Sequence, residues 1–304
     1  THIFFYALRN TRRENGGTVM QKIWVCGARG QIGQAINDVV DKLEFEMLDT
    51  DVDDLDVTDT DEVLRFGEMN RPDIIINCSG MTDINACEEN PSQAFKVNAL
   101  GARNLAIVAA KMQAKMVQLS TDDVFDGKST EPYTEFDVTN PGTVYGKSKL
   151  AGENYVKEFT TKHFIVRSTW VYGKGQNFIN GFLNKVDAGE QISIASDQFG
   201  SPTSANELAR FLLHLVHTSE YGTYHATNKG VCSRYAFAEE ILKLTGKTAS
   251  MQPVPTVMSD FSKVRPAYAV LDNFIMSMVP IYDFPDWQDS LKEYLTERGL
   301  HHAE

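Results

Sequence analysis

The chain has 304 residues, 42% hydrophobic and 23% charged, an ordinary globular composition long enough for two modest cores. Its 41 acidic against 29 basic residues give a net charge of −12, which repels nucleic-acid backbones and anionic bilayers, so neither is an expected partner. No apolar run approaches the roughly 18 residues of a spanning helix. The four cysteines, Cys26, Cys78, Cys87 and Cys232, show neither paired nor metal-ligand spacing. That usage suits a reducing, cytoplasmic setting.

Residues 1–19 carry no periodicity, and the first convincing strand begins only after Met20. Gly16-Gly17, two codons ahead of Met20, matches a ribosome-binding site read through as protein. The segment is therefore expected to be an upstream extension, with an ordinary flexible arm as the alternative. Next, 22–26 reads as a strand ending at glycine, 32–40 as a helix, and 45–48 as a second strand closing at Asp49. A helix is expected over 63–69, and Ile74-Ile75-Ile76-Asn77 is an unbroken β-branched run that predicts a buried strand. Residues 94–112 read as one long Ala-rich helix, 116–120 as a strand, 144–159 as a helix and 163–167 as a strand. Alternation with continuous apolar strands predicts an α/β fold, a Rossmann-type doubly wound parallel sheet covered on both faces. After Trp170 the pattern becomes irregular, which predicts a smaller C-terminal substrate-binding lobe. The expected division is 20–170 for a dinucleotide-binding domain, with a return near 204–228, and 171–304 mainly for the lobe.

The first chemical signal is Gly27-Ala28-Arg29-Gly30-Gln31-Ile32-Gly33, which directly follows a strand and opens a helix. Glycines there permit a tight turn and close approach of backbone to a pyrophosphate, which the helix N-terminus stabilises. Asp49, at the end of the second strand, could accept hydrogen bonds from the adenosine ribose and repel a 2′-phosphate, or be a solvated turn residue. Asp56-Val57 could flank the adenine.

The second signal is Tyr145-Gly146-Lys147-Ser148-Lys149, preceded by Ser120-Thr121-Asp122. Tyr145 and Lys149, four apart, share one helix face. An ammonium beside the phenol favours its ionised form, bringing a group that titrates near 10 toward the working range. Such a phenol can protonate a carbonyl oxygen while hydride reaches the carbon. The lysine can hold the nicotinamide ribose, and Thr121 or Ser120 can hydrogen-bond the same oxygen.

Together these motifs resemble the extended short-chain dehydrogenases/reductases, and within them the dTDP-4-dehydrorhamnose reductase family. The strings that carry the second resemblance include 77–82, 120–127, 141–153, Arg167-Ser168-Thr169-Trp170-Val171-Tyr172-Gly173, 197–203 and Arg265-Pro266. The resemblance implies that Gly30-Gln31-Ile32, Asp49, Asp56-Val57 and Gly80-Met81-Thr82 touch NADH or NADPH. Tyr145 would be the catalytic acid and Lys149 its partner. Thr121, Asp122 and Trp170 would face the sugar of a nucleotide-sugar substrate; packing beside a strand is the other reading of Trp170. Asp197-Gln198 and Ser201-Pro202-Thr203 would bound the nucleotide pocket, unless they form only a rigid turn. Arg265 would pair with the diphosphate, a surface salt bridge being its alternative.

The chain departs from that family in three places. Asp123 stands where the reductases usually carry Tyr, which makes Thr121-Asp122-Asp123 look like the acid/base motif of nucleotide-sugar 4,6-dehydratases. Ile84-Asn85-Ala86-Cys87-Glu88 replaces a usual Val-Asp-Lys-Ala-Glu, leaving the particular sugar open. Ala35 takes the place of a glutamate that binds magnesium in some relatives, so no structural metal is expected. The reading is a reductase of a nucleotide-activated 4-keto-6-deoxy sugar, with NADH slightly preferred, dTDP-rhamnose as product and a homodimer allowed. The alternatives are a dehydratase or epimerase of the same superfamily, or a regulatory subunit that binds NADP without catalysis.

Overall fold

A computed structural model describes residues 13–14, 17–18, 20–258 and 266–302. The extension expected over 1–19 falls mostly outside these residues, and Arg265 does so entirely. The main sheet contains β1 (Gln21–Cys26), β2 (Phe45–Thr50), β3 (Ile74–Asn77), β4 (Lys115–Thr121), β5 (His163–Ser168) and β6 (Gly222–His225). The spatial order is β2-β1-β3-β4-β5-β6, and every pairing is parallel. The chain winds one way from β1 to β2, then crosses back to place β3 on the other side of β1. The crevice between β1 and β3, at the strands' carboxyl ends, is the switch point where open α/β sheets bind ligands.

Alternation of side chains explains why the middle of each central strand is apolar on both faces. Ile23, Val25, Ile74 and Ile76 enter one core with Ile36 and Leu208; Trp24, Cys26 and Ile75 enter the opposite core with Val63 and Leu105. In chain order the helices are α1 (Gln31–Val39), α2 (Thr60–Asn70), α3 (Ile84–Glu89), α4 (Pro91–Phe95), α5 (Ala102–Met112), α6 (Val144–Phe159), α7 (Phe178–Asp187) and α8 (Ala205–Leu215); α1, α2, α5 and α8 supply the residues just named. A third core, around Phe182, Ile192, Phe237 and Leu291, joins α7 to α9 (Arg234–Thr245) and, beyond α10 (Phe274–Met278), to α11 (Trp287–Glu297). The chain visits the main sheet again through α8 and β6.

One expectation changes. Residues 94–112 do not form a single helix, because a π-helical turn over Lys96–Gly101 separates α4 from α5. The extra residue per turn brings Asn98 inward, where it is buried and bonded to the backbone of Met81. Such turns concentrate at functional sites. At the end of this turn a Cβ on Gly101 would lie 2.8 Å from Val57 Cγ2, so the loop after β2 closes directly onto it.

Candidate active site

The glycine loop is shaped by contacts that no side chain could share. Gly27 turns the chain at φ +78°, and its N–H and that of Ala28 donate to the Thr50 carbonyl at 2.8 and 3.1 Å. A Cβ on Gly27 would lie 2.7 Å from Ser79 N, and one on Gly33 would lie 2.4 Å from the Gly27 carbonyl oxygen. The loops after β1 and β3 therefore touch, and α1 opens at Gly30 with no side chain capping its first N–H groups. Gln31 donates through Nε2 to the Gln176 carbonyl at 3.1 Å, while its buried Oε1 has no partner among the described residues. A tight backbone cradle and open N–H groups at a helix start fit a dinucleotide diphosphate, whereas the Gln31 oxygen, an acceptor, calls for a donor such as a hydroxyl.

Asp49 lies one residue before the end of β2; partial burial pushes its carboxyl up, against a hydrogen bond from Asn37. The carboxylate that caps the loop is Asp51, whose Oδ2 accepts from Arg29 N at 2.8 Å. Arg29 in turn pairs with Asp53 and Asp54, each at 3.2 Å. Asp56 is exposed, and the Val57 carbonyl accepts from Asn104 Nδ2 at 3.0 Å.

At the end of β4, Thr121 Oγ1 donates to Asp122 Oδ1 at 3.1 Å and accepts from Asp123 N at 3.2 Å. The 3-10 turn Asp122–Val124 that follows is the seat of α6. A Cβ on Gly146 would stand 2.0 Å from the Asp123 carbonyl oxygen, so helix and turn meet backbone to backbone. Two caps fix the helix start: Thr143 Oγ1 accepts from Gly146 N at 2.9 Å, and Glu88 on α3 accepts from Val144 N at 2.8 Å. Tyr145, in the first turn, is buried against Ile84, Cys87 and Ala94, with Met81 beside them.

One turn on, Lys149 is buried, with Nζ 3.7 Å from where a Gly80 Cβ would be. Burial lowers its amine to about 8, against the opposing charge of Glu153. Asn98 pins the Gly80-Met81 loop to this helix. It accepts from Met81 N at 2.8 Å and donates to the Met81 carbonyl at 3.0 Å and Ser148 Oγ at 2.9 Å. Ser148 Oγ donates on to the Tyr145 carbonyl at 2.8 Å. Thr82 is exposed beside the loop.

Thr121 is paired with Ser168 across β4 and β5, so Trp170 leaves the sheet at the same edge. Its φ of +46° is unusual for so bulky a residue, a strain the surroundings must hold. Its indole lies on Gly200, where a Cβ would come within 2.5 Å of Cε2. The Arg234 guanidinium stacks 3.4 Å from the ring centroid. Gln198 and Thr203 frame the clamp: the Gln198 carbonyl accepts from Arg234 N at 2.9 Å, and Thr203 N donates to the Trp170 carbonyl at 3.2 Å. Next to Trp170, the buried Thr169 Oγ1 has no partner among the described residues.

The structure thus gathers Gly27, Gly30, Gln31, Ile32, Gly33, Gly80, Met81, Tyr145, Lys149, Thr121, Asp122 and Trp170 at the carboxyl edge of the sheet. Sequence reasoning missed Asn98, Asp51 and Arg234. Only Asn98 left a signal, as one of two amides, with Asn104, within an apolar helical pattern.

The RmlD substrate binding domain family matches residues 20–299. The spore coat polysaccharide biosynthesis protein SpsK of Bacillus subtilis is 34% identical over 92% of this chain and 99% of its own. Among solved structures, a dTDP-4-dehydrorhamnose reductase from Clostridium acetobutylicum is 41% identical, with a TM-score of 0.89 over 92% of this chain and 100% of that one. The dTDP-4-dehydrorhamnose reductase of Bacillus anthracis, solved with NADP, is 35% identical, with a TM-score of 0.88 over the same shares. The chain belongs to the RmlD substrate binding domain family.

Proposed function

We propose that the chain reduces the 4-keto group of a nucleotide-activated 6-deoxy sugar, dTDP-4-dehydrorhamnose to dTDP-rhamnose, for polysaccharide precursor synthesis in the cytoplasm. The relatives named above support the reaction. The observation that carries it is the seating of α6, whose Gly146, next to Tyr145, packs on the turn after Thr121 and whose Lys149 lies against Gly80. A reduced nicotinamide bound on the glycine loop and the Gly80-Met81-Thr82 loop would supply the hydride.

The residues do the rest. Thr121 Oγ1 orients the ketone oxygen, and Tyr145 gives it a proton as negative charge develops there. Lys149 holds the ribose and steadies the phenol's charge after the proton leaves. Trp170 and Asp122 would face the sugar, and Arg265 would pair with the diphosphate. Residues 20–170, with the return near 204–228, would form the cofactor-binding domain and 171–304 mainly the substrate lobe. The acidic rim of Asp49 and Asp51, with Arg29 already engaged by Asp53 and Asp54, supports NADH over NADPH.

The test is cofactor oxidation driven by a dTDP-4-keto-6-deoxy sugar. Tyr145→Phe should lower turnover about 10²–10⁴-fold, the usual share of a general acid, with NADH affinity nearly unchanged. Retention of more than about a tenth of turnover would mean that the proton comes from elsewhere.

A further inference from the structure

The helix that carries Tyr145 and Lys149 also carries a buried charge with no part in the steps above. Glu153 lies one turn beyond Lys149 on the same inward face and is fully buried. Its Oε1 accepts from Ser120 Oγ at 2.6 Å and Arg167 Nε at 2.9 Å; its Oε2 accepts from Arg167 Nη2 at 2.7 Å and Lys157 Nζ at 3.4 Å. Ser120 and Arg167 stand opposite each other across β4 and β5. One carboxylate therefore ties α6 to the two strands whose ends present Thr121 and Trp170.

Stability alone is a poor account of such a pair, since apolar residues in its place often do as well. Position relative to Lys149 is what distinguishes it. We propose that Glu153 is a positioning residue for Lys149: its carboxylate fixes the helix on β4 and β5 and sets a negative charge one turn beyond the Lys149 side chain. The inference rests on the assignment of Lys149 to ribose and phenol made above.

Electrostatics agree with the geometry. Burial alone would raise the Glu153 carboxyl, but the Arg167 guanidinium, Lys157 and Ser120 overcome it and hold the group below the usual carboxylate range. Other titratable groups lie on elements around α6: Cys87 and Glu88 on α3, Asp122 and Asp123 in the turn after β4, Arg167 on β5, and Cys78 beyond β3. The Lys149 amine feels the opposing charge of Glu153, and the Tyr145 phenol stands one turn back on the same helix. Burial keeps the Cys78 thiol neutral up to about 12, so of Glu153 and Cys78 only Glu153 is charged.

The experiment titrates Lys149 in the full-length protein without cofactor, by NMR of ¹³Cε-labelled lysine, using Lys149→Met to assign the signal. NADH affinity is measured against pH alongside. In Glu153→Gln the Lys149 midpoint should fall by roughly one pH unit from its value near 8. Roughly fivefold less ammonium would then remain at pH 8, and NADH affinity should weaken at a correspondingly lower pH. If Glu153→Gln does not fold, Arg167→Met is the second variant: it strips the guanidinium from Glu153, so the Lys149 midpoint should rise instead. A midpoint that stays put in the folded variant, whatever happens to melting temperature, overturns the proposal. If Lys149→Met itself leaves turnover and NADH affinity intact, the site assignment fails instead, so the two failures are distinguishable.

Discussion

Gly146→Ala sets two effects of known size against each other. In a helix interior the exchange would stabilise by about 1 kcal/mol through backbone entropy alone, and in the first turn, where Gly146 lies, by less. Here the new Cβ would stand 2.0 Å from the Asp123 carbonyl oxygen, 2.8 Å from its carbon and 3.0 Å from Pro141 Cβ, where ordinary contact begins near 3.4 Å. A gap of more than 1 Å must open between two backbones, neither of which ends in a flexible group. Overpacking of this kind costs about 1–3 kcal/mol, so the net effect should be destabilising and the melting temperature should drop by a few degrees. The same movement lifts Tyr145 off the Thr121 turn, and a misplacement of about 1 Å can cost roughly a hundredfold in turnover. NADH affinity should change much less, because Asn98 pins the cofactor loop to the helix through Met81 and Ser148. Thermal melts, steady-state turnover and NADH titration give the three numbers, with Gly142→Ala as control because nothing lies within 4 Å of its Cβ position. A Gly146→Ala protein with raised melting temperature and full turnover would refute the argument that this contact seats the catalytic helix.

The sheet was readable because helices cover both faces, so β1 from Ile23 and β3 to Ile76 are apolar on both sides and these runs stand out. The Tyr145–Lys149 pair was readable for a similar reason, since a four-residue spacing is local. What escaped depends on contacts distant in sequence. The π turn at Lys96–Gly101 follows from Asn98 bonding to Met81, 17 residues away, and local propensity favours an unbroken helix there. Which aspartate caps the glycine loop depends on the β1–β2 register, which pairs Cys26 with Thr50 and so brings Asp51 rather than Asp49 to Arg29 N. Arg234 opens α9 in an unremarkable helix start. Its stacking on Trp170 exists only because the third core brings two distant segments together.

Three further measurements follow from these contacts. Arg234→Met removes the cation stacked on Trp170, worth about 1–2 kcal/mol when desolvated, so KM for the sugar should rise roughly tenfold with NADH affinity unchanged. An unchanged sugar KM would place Trp170 outside the substrate pocket. His225 is buried, shares Nδ1 with the Tyr133 and Asp272 carbonyls, and is lowered to about 3 by burial and by Arg167. The unfolded imidazole takes up a proton below about 6.5, so stability from this group should fall by up to ~1.4 kcal/mol per pH unit between 6.5 and 3. His225→Phe should flatten that slope, and an unaltered slope would assign acid sensitivity to the carboxylates. The last concerns cofactor choice, where two aspartates compete for one role. Asp49 could meet the adenosine ribose, while Asp51 holds the loop that would hold the diphosphate. If Asp49 reads the ribose, Asp49→Ala should shift the kcat/KM ratio toward NADPH with little loss in total affinity. Asp51→Ala should instead weaken both cofactors together, because it removes the cap from Arg29 N, and by freeing Arg29 from one carboxylate it should give NADPH only a small relative gain. If Asp51→Ala moves the ratio and Asp49→Ala does not, then the carboxylate that discriminates between the cofactors is the one at the loop, and Asp49 serves only to anchor α1 through Asn37.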